Sequence, residues 1–465
     1  MPRPLLFQAL DQPTLNVTAM PNQPNILVIL TDQQTHSALG AHGNPRVQTP
    51  HMDSLVHSGL SFWNSYCPAP VCGPARGSLL SGRLPHETGV EVNGPDVRPG
   101  IPTMGVHFRQ AGYRPLYSGK LHLGPRPLKG IQQVGGMQGF EFLCDEYPQG
   151  VQPQLGTDTD PIWTEHAVEF LQSQNPQETG AGEPFLLVAS LHNPHDICYW
   201  VMEWHHIVDI APDSDLPPLP ANFQPIANEP EFVELCRHRT EYGPEMSWTH
   251  DWGETEWRRY LYAYDRLTDC VDQQIGRLLD ALEESGLASN TLVVLTSDHG
   301  EGVAAHKWVT KLMLWEEVVR VPFVMRLPGS VPQDRIDRTH LVSGLDLLPT
   351  LCDYADIALP TGLHGQSLRP VIEDPVLPGR ASVVTELQAF MDDDTKKGRM
   401  LRTARYKYIV FSHGERPELL FDLEDDPGEM RNLAYEPAHQ ESLSEHRKLL
   451  KREIEETGDS FSFPS

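Results

Sequence analysis

Short apolar runs with almost no polar interruption recur along the chain at 25–30 (Asn-Ile-Leu-Val-Ile-Leu), 184–190, 290–296 and 320–326. Runs this short, and apolar on both alternating faces, are expected of strands buried on both sides, as in a parallel sheet covered by helices. Helical spacing separates them. Ile162, Ala167, Phe170 and Leu171 predict an amphipathic helix over 161–174. Tyr260, Leu261, Tyr264, Leu267, Val271, Ile275, Leu278, Leu279 and Leu282 predict a long one over 258–284, ended by Gly286. Thr49-Pro50 predicts the start of a short helix in which Asp53 is structural. From about residue 371 the pattern shifts to shorter segments, 381–386, 400–403, 406–411 and 418–422, able to pair antiparallel, and then a helix over 437–455. The reading is therefore α/β, with a lead-in over 1–22, a main domain over 23–370 and a small α+β domain over 371–465. Residues 199–250 carry Trp, His and Pro without periodicity and are expected to be an insertion near a site. Trp200, Trp204 and Trp252 in and beside it are read either as packing or as platforms for a sugar ring.

Composition narrows the function. Lys and Arg total 36 against 63 Asp and Glu, a net charge of −27. That disfavours a general nucleic-acid binder, which needs a basic surface, but leaves room for a local basic pocket that takes an anion. No apolar run is long enough to span a bilayer. Neither does the N-terminal stretch show the apolar core of a signal peptide, so the expected location is cytoplasmic. Seven scattered cysteines with no paired framework fit reduced thiols.

The candidate chemistry sits mostly at the ends of the predicted strands, where open α/β sheets place ligand groups. Asp32, followed by Gln33, ends the first. Leu191-His192-Asn193-Pro194-His195 follows the second, and Asp298-His299 the third. Lys120 and His122, two apart in extended chain, point the same way and offer an anion-binding point charge and a proton carrier. The densest stretch is Cys72-Gly-Pro-Ala-Arg76-Gly-Ser-Leu-Leu-Ser-Gly-Arg83. It brings a thiol close to a fixed cation and to a segment able to open a helix, surroundings that lower a thiol pKa and favour anions. Asn93, in the Gly/Pro-rich loop that follows, could reach a site. His36, His42, His51 and His57 lack metal-like spacing and are read as structural or exposed.

Cys-x-Pro-x-Arg followed by Leu80-Ser81-Gly82-Arg83 resembles the signature of type I sulfatases, with Ser81 where Thr is commoner. Further segments resemble that family in its own order. They are Pro24-Asn-Ile through Asp32, Thr49-Pro50-His-Met-Asp53, Gly112-Tyr113 through Gly119-Lys120-Leu-His122, Pro194-His195, Asp298-His299, and Lys311 through Trp315-Glu316. Asp346-x-x-Pro349-Thr350 and Asp426-Pro427-x-Glu429 complete the series. Gln33 stands where many members have a second Asp, Pro115 replaces a hydroxyl residue, and Trp315 replaces Tyr.

The resemblance implies an alkaline-phosphatase-like fold, with a large mixed, mostly parallel sheet between helices and a smaller C-terminal α+β domain with an antiparallel sheet. It implies that Cys72 is oxidised to formylglycine by a maturation enzyme, and that Asp32, Gln33, Cys72, Asp298 and His299 hold one divalent cation. Calcium is expected first, with manganese or another transition ion as alternatives because of the imidazole and the amide. Arg76, Lys120, His122, His195 and Lys311 take catalytic roles in this reading, and His192 and His306 contact substrate. The implied activity is hydrolysis of a sulfuric ester of a small molecule or sugar. A phosphonate monoester or phosphodiester hydrolase with the same nucleophile is the alternative; a silent protein that holds sulfated glycans is an alternative of another class.

Overall fold

The computed structural model describes residues 23–124, 139–144, 155–174, 182–202, 205–237 and 249–464. The expected apolar runs form the middle of an eight-stranded sheet. Its strands are β1 (Asn25–Asp32), β2 (Leu60–Tyr66), β3 (Arg114–Gly119), β4 (Glu141–Phe142), β5 (Phe185–Pro194), β6 (Thr291–Ser297), β7 (Phe323–Arg326) and β8 (Arg335–Ser343). Their order across the sheet is β4-β3-β5-β1-β6-β7-β2-β8. β1 pairs in parallel with β5 and β6, while β7 runs antiparallel to both β6 and β2.

Helices cover both faces, which is why β1 could be apolar throughout. Ile26, Val28 and Leu30 pack with Leu79, Leu80, Leu348 and Leu351 on one face. Leu27 and Ile29 pack with Phe170, Leu171, Val271, Ile275 and Leu278 on the other. Burying each such side chain contributes about 1.5–3 kcal/mol, so this strand anchors the site that follows it. The helix expected over 161–174 runs Gly156–Ser173, and the long one runs Glu254–Glu284.

A second sheet, β9 (Ser382–Gln388), β10 (Lys397–Thr403), β11 (Tyr406–Phe411) and β12 (Glu418–Asp422), is antiparallel throughout and lies in the order β12-β11-β10-β9. One face takes Leu443 and Leu450 of the Gln440–Thr457 helix. The other contributes Met400, Ile409, Phe411, Leu419 and Phe421 to a core shared with Trp308, Leu312 and Trp315. The segment that carries Lys311 therefore rests on the C-terminal sheet.

Of the stretch expected as an insertion, 203–204 and 238–248 lie outside the described residues, Trp204 among them. The remainder holds short helices such as Ile197–Val201 and Glu231–Arg237. Trp200 is buried and meets Trp252 edge-on at 5.9 Å, and Trp252 meets Trp257 at 5.1 Å. For Trp200 and Trp252 the packing reading fits.

Candidate active site

The parallel strands β3, β5, β1 and β6 end on one edge of the sheet, and that edge carries Lys120, His192 to His195, Asp32 and Asp298-His299. Cys72 arrives from below as the first residue of the Cys72–Ser81 helix. Asn93 Oδ1 accepts the Gly73 N–H at 2.8 Å and so secures the first turn. Every residue of this helix is buried, because Leu79 and Leu80 serve the core while Arg76 turns toward the strand ends.

Arg76 organises the floor. Its Nε donates to Asp298 Oδ2 at 2.8 Å and its Nη2 to Asp32 Oδ2 at 2.9 Å. Nη1 donates to Ser190 Oγ at 2.8 Å and to the Lys120 carbonyl. A guanidinium used on all sides in this way fixes both carboxylates in one plane. Lys120 Nζ lies 2.8 Å from Asp32 Oδ2. Burial opposes ionisation of Asp32, yet Lys120, His195, Arg76 and Lys311 hold its carboxyl well below the ordinary range. Asp298 has less compensation. Burial and the neighbouring Asp32 push it up to about 6.

Cys72 Sγ is 3.2 Å from His299 Nε2, 3.2 Å from Lys311 Nζ and 3.7 Å from Asp32 Oδ1. Burial and Asp32 disfavour the thiolate, but Lys311, Lys120 and His299 prevail and hold the thiol well below its usual range. His299 Nδ1 donates to the Gly300 carbonyl at 2.8 Å, which leaves Nε2 facing the sulfur and the carboxylates. Asp32, Cys72, Asp298 and His299 each offer a buried donor atom, all within 4.8 Å of one another. Two carboxylates, one oriented imidazole and the position-72 side chain form a donor set that suits a divalent cation.

At the opening Lys311 Nζ lies 3.1 Å from His195 Nε2, and His195 Nδ1 lies 2.9 Å from His192 Nε2. Burial first, then Lys120 and Lys311, push His195 down to about 3 and keep it neutral. His192 is fully buried and stacks parallel to Trp163 at 6.4 Å, so it backs His195 from within the protein. His122 is half-buried beside the Cys72 sulfur, and burial with Lys120 lowers its pKa. Among the described residues around the Cys72 sulfur, His122, His195 at 6% and Lys311 at 8% keep exposure, so they face the side from which a substrate would come.

Two expected site residues are placed differently. Gln33 directs its carbonyl oxygen to Lys311 Nζ at 3.1 Å and its amide N–H to Glu301, so it steers the lysine. His306 is not among the groups around Cys72. It stacks on Trp315 at 4.2 Å and gathers with Glu317 and Glu429, because the backbone turns through the left-handed region at Val303, Ala304 and His306. Sequence reasoning missed Glu301, Ser190 and Asp160. Glu301 accepts from Gln33, Tyr260 and the Thr310 N–H, and its place three residues after Asp298 was a usable signal. Asp160 accepts the His192 N–H at 2.5 Å and the Asn193 N–H at 2.9 Å from a separate helix, and no local pattern announces it.

Cations crowded against two carboxylates and a sulfur suit an enzyme that grips a small anionic ester group. Set at this edge of a mixed, mostly parallel sheet, they define a hydrolase of the alkaline-phosphatase-like class. Comparison with known proteins goes one step further. The family model described as Sulfatase matches residues 24–357, and that of the N-sulphoglucosamine sulphohydrolase C-terminal region matches 304–457. The chain belongs to the sulfatase family and is a sulfuric ester hydrolase. It is 34% identical over 461 residues to a Delta 4,5-hexuronate-2-O-sulfatase of Bacteroides thetaiotaomicron, covering 94% of this chain and 90% of that protein. It is 29% identical to an ulvan-active sulfatase of Formosa agariphila, covering 95% and 83%. A solved 2-O GAG sulfatase superposes with a TM-score of 0.81 at 32% identity, over 96% of this chain and 95% of that one. In fold alone the chain also resembles a phosphonate monoester hydrolase of Agrobacterium radiobacter, with a TM-score of 0.76 at 21% identity over 94% and 96%.

Proposed function

We propose that this sulfatase removes 2-O-sulfate from an unsaturated hexuronate at the end of a sulfated glycan fragment. The similarity to the hexuronate-2-O-sulfatase, which runs almost the full length of both chains, carries the choice of sugar. The nucleophile would be formylglycine made from Cys72 by a maturation enzyme, its hydrated aldehyde supplying an oxygen to attack sulfur. A divalent cation held by Asp32, Asp298, His299 and the position-72 side chain would act as Lewis acid and template. Calcium heads the list of ions; the His299 imidazole keeps manganese in play.

This chain's own residues supply the remainder. Arg76 fixes Asp32 and Asp298, and Lys120 balances Asp32 on its other side. Lys311 and Lys120 offer positive charge where the sulfate oxygens would gather, in a buried site where such charge is strong. An incoming sulfate ester adds negative charge beside His195 and raises its proton affinity against the two lysines. Lys311 and His195, 3.1 Å apart, then share the proton that the departing alkoxide needs. Gln33 steers Lys311, and Asp160 sets the His192–His195 turn. His122 stands beside the position-72 side chain and is placed to take or return a proton there. The cytoplasmic location rests on the sequence, whose seven scattered cysteines show no paired framework. No helix among the described residues is long and apolar enough to cross a membrane.

The test is a substrate panel run on matured enzyme: an unsaturated 2-O-sulfated hexuronate disaccharide, its 6-O-sulfated glucosamine isomer, an aryl sulfate and an aryl phosphonate. Highest kcat/KM on the first is expected. Preference for the 6-O isomer would refute the sugar assignment. Preference for the aryl phosphonate would favour the phosphonate hydrolase reading, which the Asp298-His299 pair also fits.

A further inference from the structure

The far end of the segment that carries Lys311 holds a second buried cluster, built from residues the reaction does not use. His306 is fully buried, and neither of its ring nitrogens has a hydrogen-bond partner among the described residues. A buried imidazole with both nitrogens unpaired requires an explanation, and a bound ion is one that suits the carboxylates beside it. Within 4.8 Å of one of those nitrogens lie oxygens of Glu317 and Glu429, themselves within 4.8 Å of each other. Glu317 Oε1 accepts from Asn222 at 2.9 Å, and its Oε2 has no partner among the described residues. Glu429 Oε2 accepts the Glu316 N–H at 2.7 Å and its Oε1 meets Lys407 Nζ at 2.8 Å, so a lone pair remains on each oxygen.

Charge points the same way. Lys407 is fully buried and also meets Glu316 Oε1 at 3.1 Å. One ammonium thus faces three carboxylates, Glu316, Glu317 and Glu429. Arg320 reaches the outer side of Glu316 at 3.7 Å and the buried Arg402 acts on Glu316 and Glu429, while Glu317 forms no ion pair among the described residues.

We propose that His306, Glu317 and Glu429 form a second, structural divalent-cation site that ties the Lys311-bearing segment to the C-terminal sheet. One imidazole and two carboxylates select a borderline ion such as Zn²⁺ or Mn²⁺ over calcium. A cavity of about 420 Å³ that Val303, Ala305 and Glu317 help to line offers a way in and room for water ligands. The site also accounts for a local oddity. Val303, Ala304, His306, Lys307, Thr310 and Leu312 all hold positive φ, a conformation that persists only where surroundings over-determine it. A cation bridging His306 to Glu317 and Glu429 would clamp that segment at both of its ends.

The experiment counts metal on the full-length protein after incubation with ZnCl₂ or MnCl₂ and desalting. Wild type is expected to hold two equivalents per chain. Asp298→Asn, which disables the catalytic cation set and leaves the second cluster intact, is expected to hold one, and the Asp298→Asn/Glu317→Gln double variant none. In the Asp298→Asn background, added Zn²⁺ should raise the melting temperature by several degrees and slow hydrogen exchange over 303–312; His306→Phe, which keeps the stack on Trp315, should remove both effects. Absence of tightly held metal in Asp298→Asn, or metal that Glu317→Gln leaves unchanged, would overturn the site and assign the cluster to protons shared between the carboxylates. Should Glu317→Gln fail to fold, the Asp298→Asn count and its His306→Phe partner still decide.

Discussion

Two buried charge clusters draw on one segment, 299–317, with His299 and Lys311 in one and His306 and Glu317 in the other, and they are built differently. Around Cys72, two carboxylates, Asp32 and Asp298, face three fixed cations, Arg76, Lys120 and Lys311. Around His306, three carboxylates face one buried ammonium. The first keeps Lys120 and Lys311 beside its cation-binding carboxylates and is exposed at His122, His195 and Lys311, so with its cation seated it suits an arriving anion. Among the described residues the second leaves Glu317 without an ion pair and its imidazole without a partner, so it suits a cation that stays.

The most severe way to break the first cluster is Cys72→Ala. Turnover should fall by about 10⁴-fold or more with the melting temperature nearly unchanged, as expected when a nucleophile is lost. Stopped sulfate-release assays and calorimetry on one preparation check both halves. Lys311→Ala should lower kcat by about 10²–10³-fold, the scale of losing one preorganised charge donor. Gln33→Ala, which frees that lysine and removes a donor to Glu301, should cost far less; equal losses would make Gln33 a reacting group.

Asp160→Asn touches neither cluster. It weakens the acceptor for the His192 and Asn193 N–H groups, and burial already pushes this carboxyl up to about 8. A total loss of about 1 kcal/mol, the scale of one hydrogen bond, predicts roughly a fivefold drop in kcat with KM almost unmoved. A pure KM effect would show that the turn bearing His195 binds substrate only.

The smallest effect concerns His86, which bridges to the second sheet. Its Nδ1 lies 2.7 Å from Glu386 Oε1, and its Nε2 lies 3.2 Å from the Thr457 carbonyl. Burial pulls its pKa down, but the Glu386 carboxylate prevails and raises it to about 9. An imidazole with a raised folded-state pKa stabilises fully below its unfolded value near 6.5, and that contribution is lost as pH climbs through 9. The melting-temperature gap between wild type and His86→Gln should therefore shrink between pH 6.5 and 9.5. A gap independent of pH would show that His86 acts by packing.

The same contrast separates what was legible in the sequence. β1, β5 and β6 could be found because strands buried on both faces read as plain apolar runs, and the residues just past them are site residues by geometry. The antiparallel sheet followed from its short segments and turns. β2 and β8 escaped notice because Ser61, Asn64 and Ser65 in one, and Arg335, Asp337, Arg338 and Thr339 in the other, break the apolar pattern. At the site, Asp32, Cys72, Arg76, Lys120, His195, Asp298, His299 and Lys311 converge because each lies at a strand end, a helix start or a short distance beyond. His306 lay only five residues before Lys311, yet a run of left-handed backbone sends it to the other cluster. Backbone sign, unlike hydrophobic period, leaves little trace in residue type when the residues are Val, Ala, Lys and Thr rather than Gly.

The central claim is that position 72 carries the nucleophile of a sulfatase. The most direct measurement is the mass of the peptide containing Cys72, from protein co-expressed with a formylglycine-generating enzyme, paired with sulfate release by the same sample. The account predicts a peptide ~18 Da lighter than the thiol form and sulfate release that rises in proportion to the converted fraction. Sulfate release from folded protein whose Cys72 remains entirely a thiol, or full conversion with no sulfate released from any ester in the panel, would contradict it.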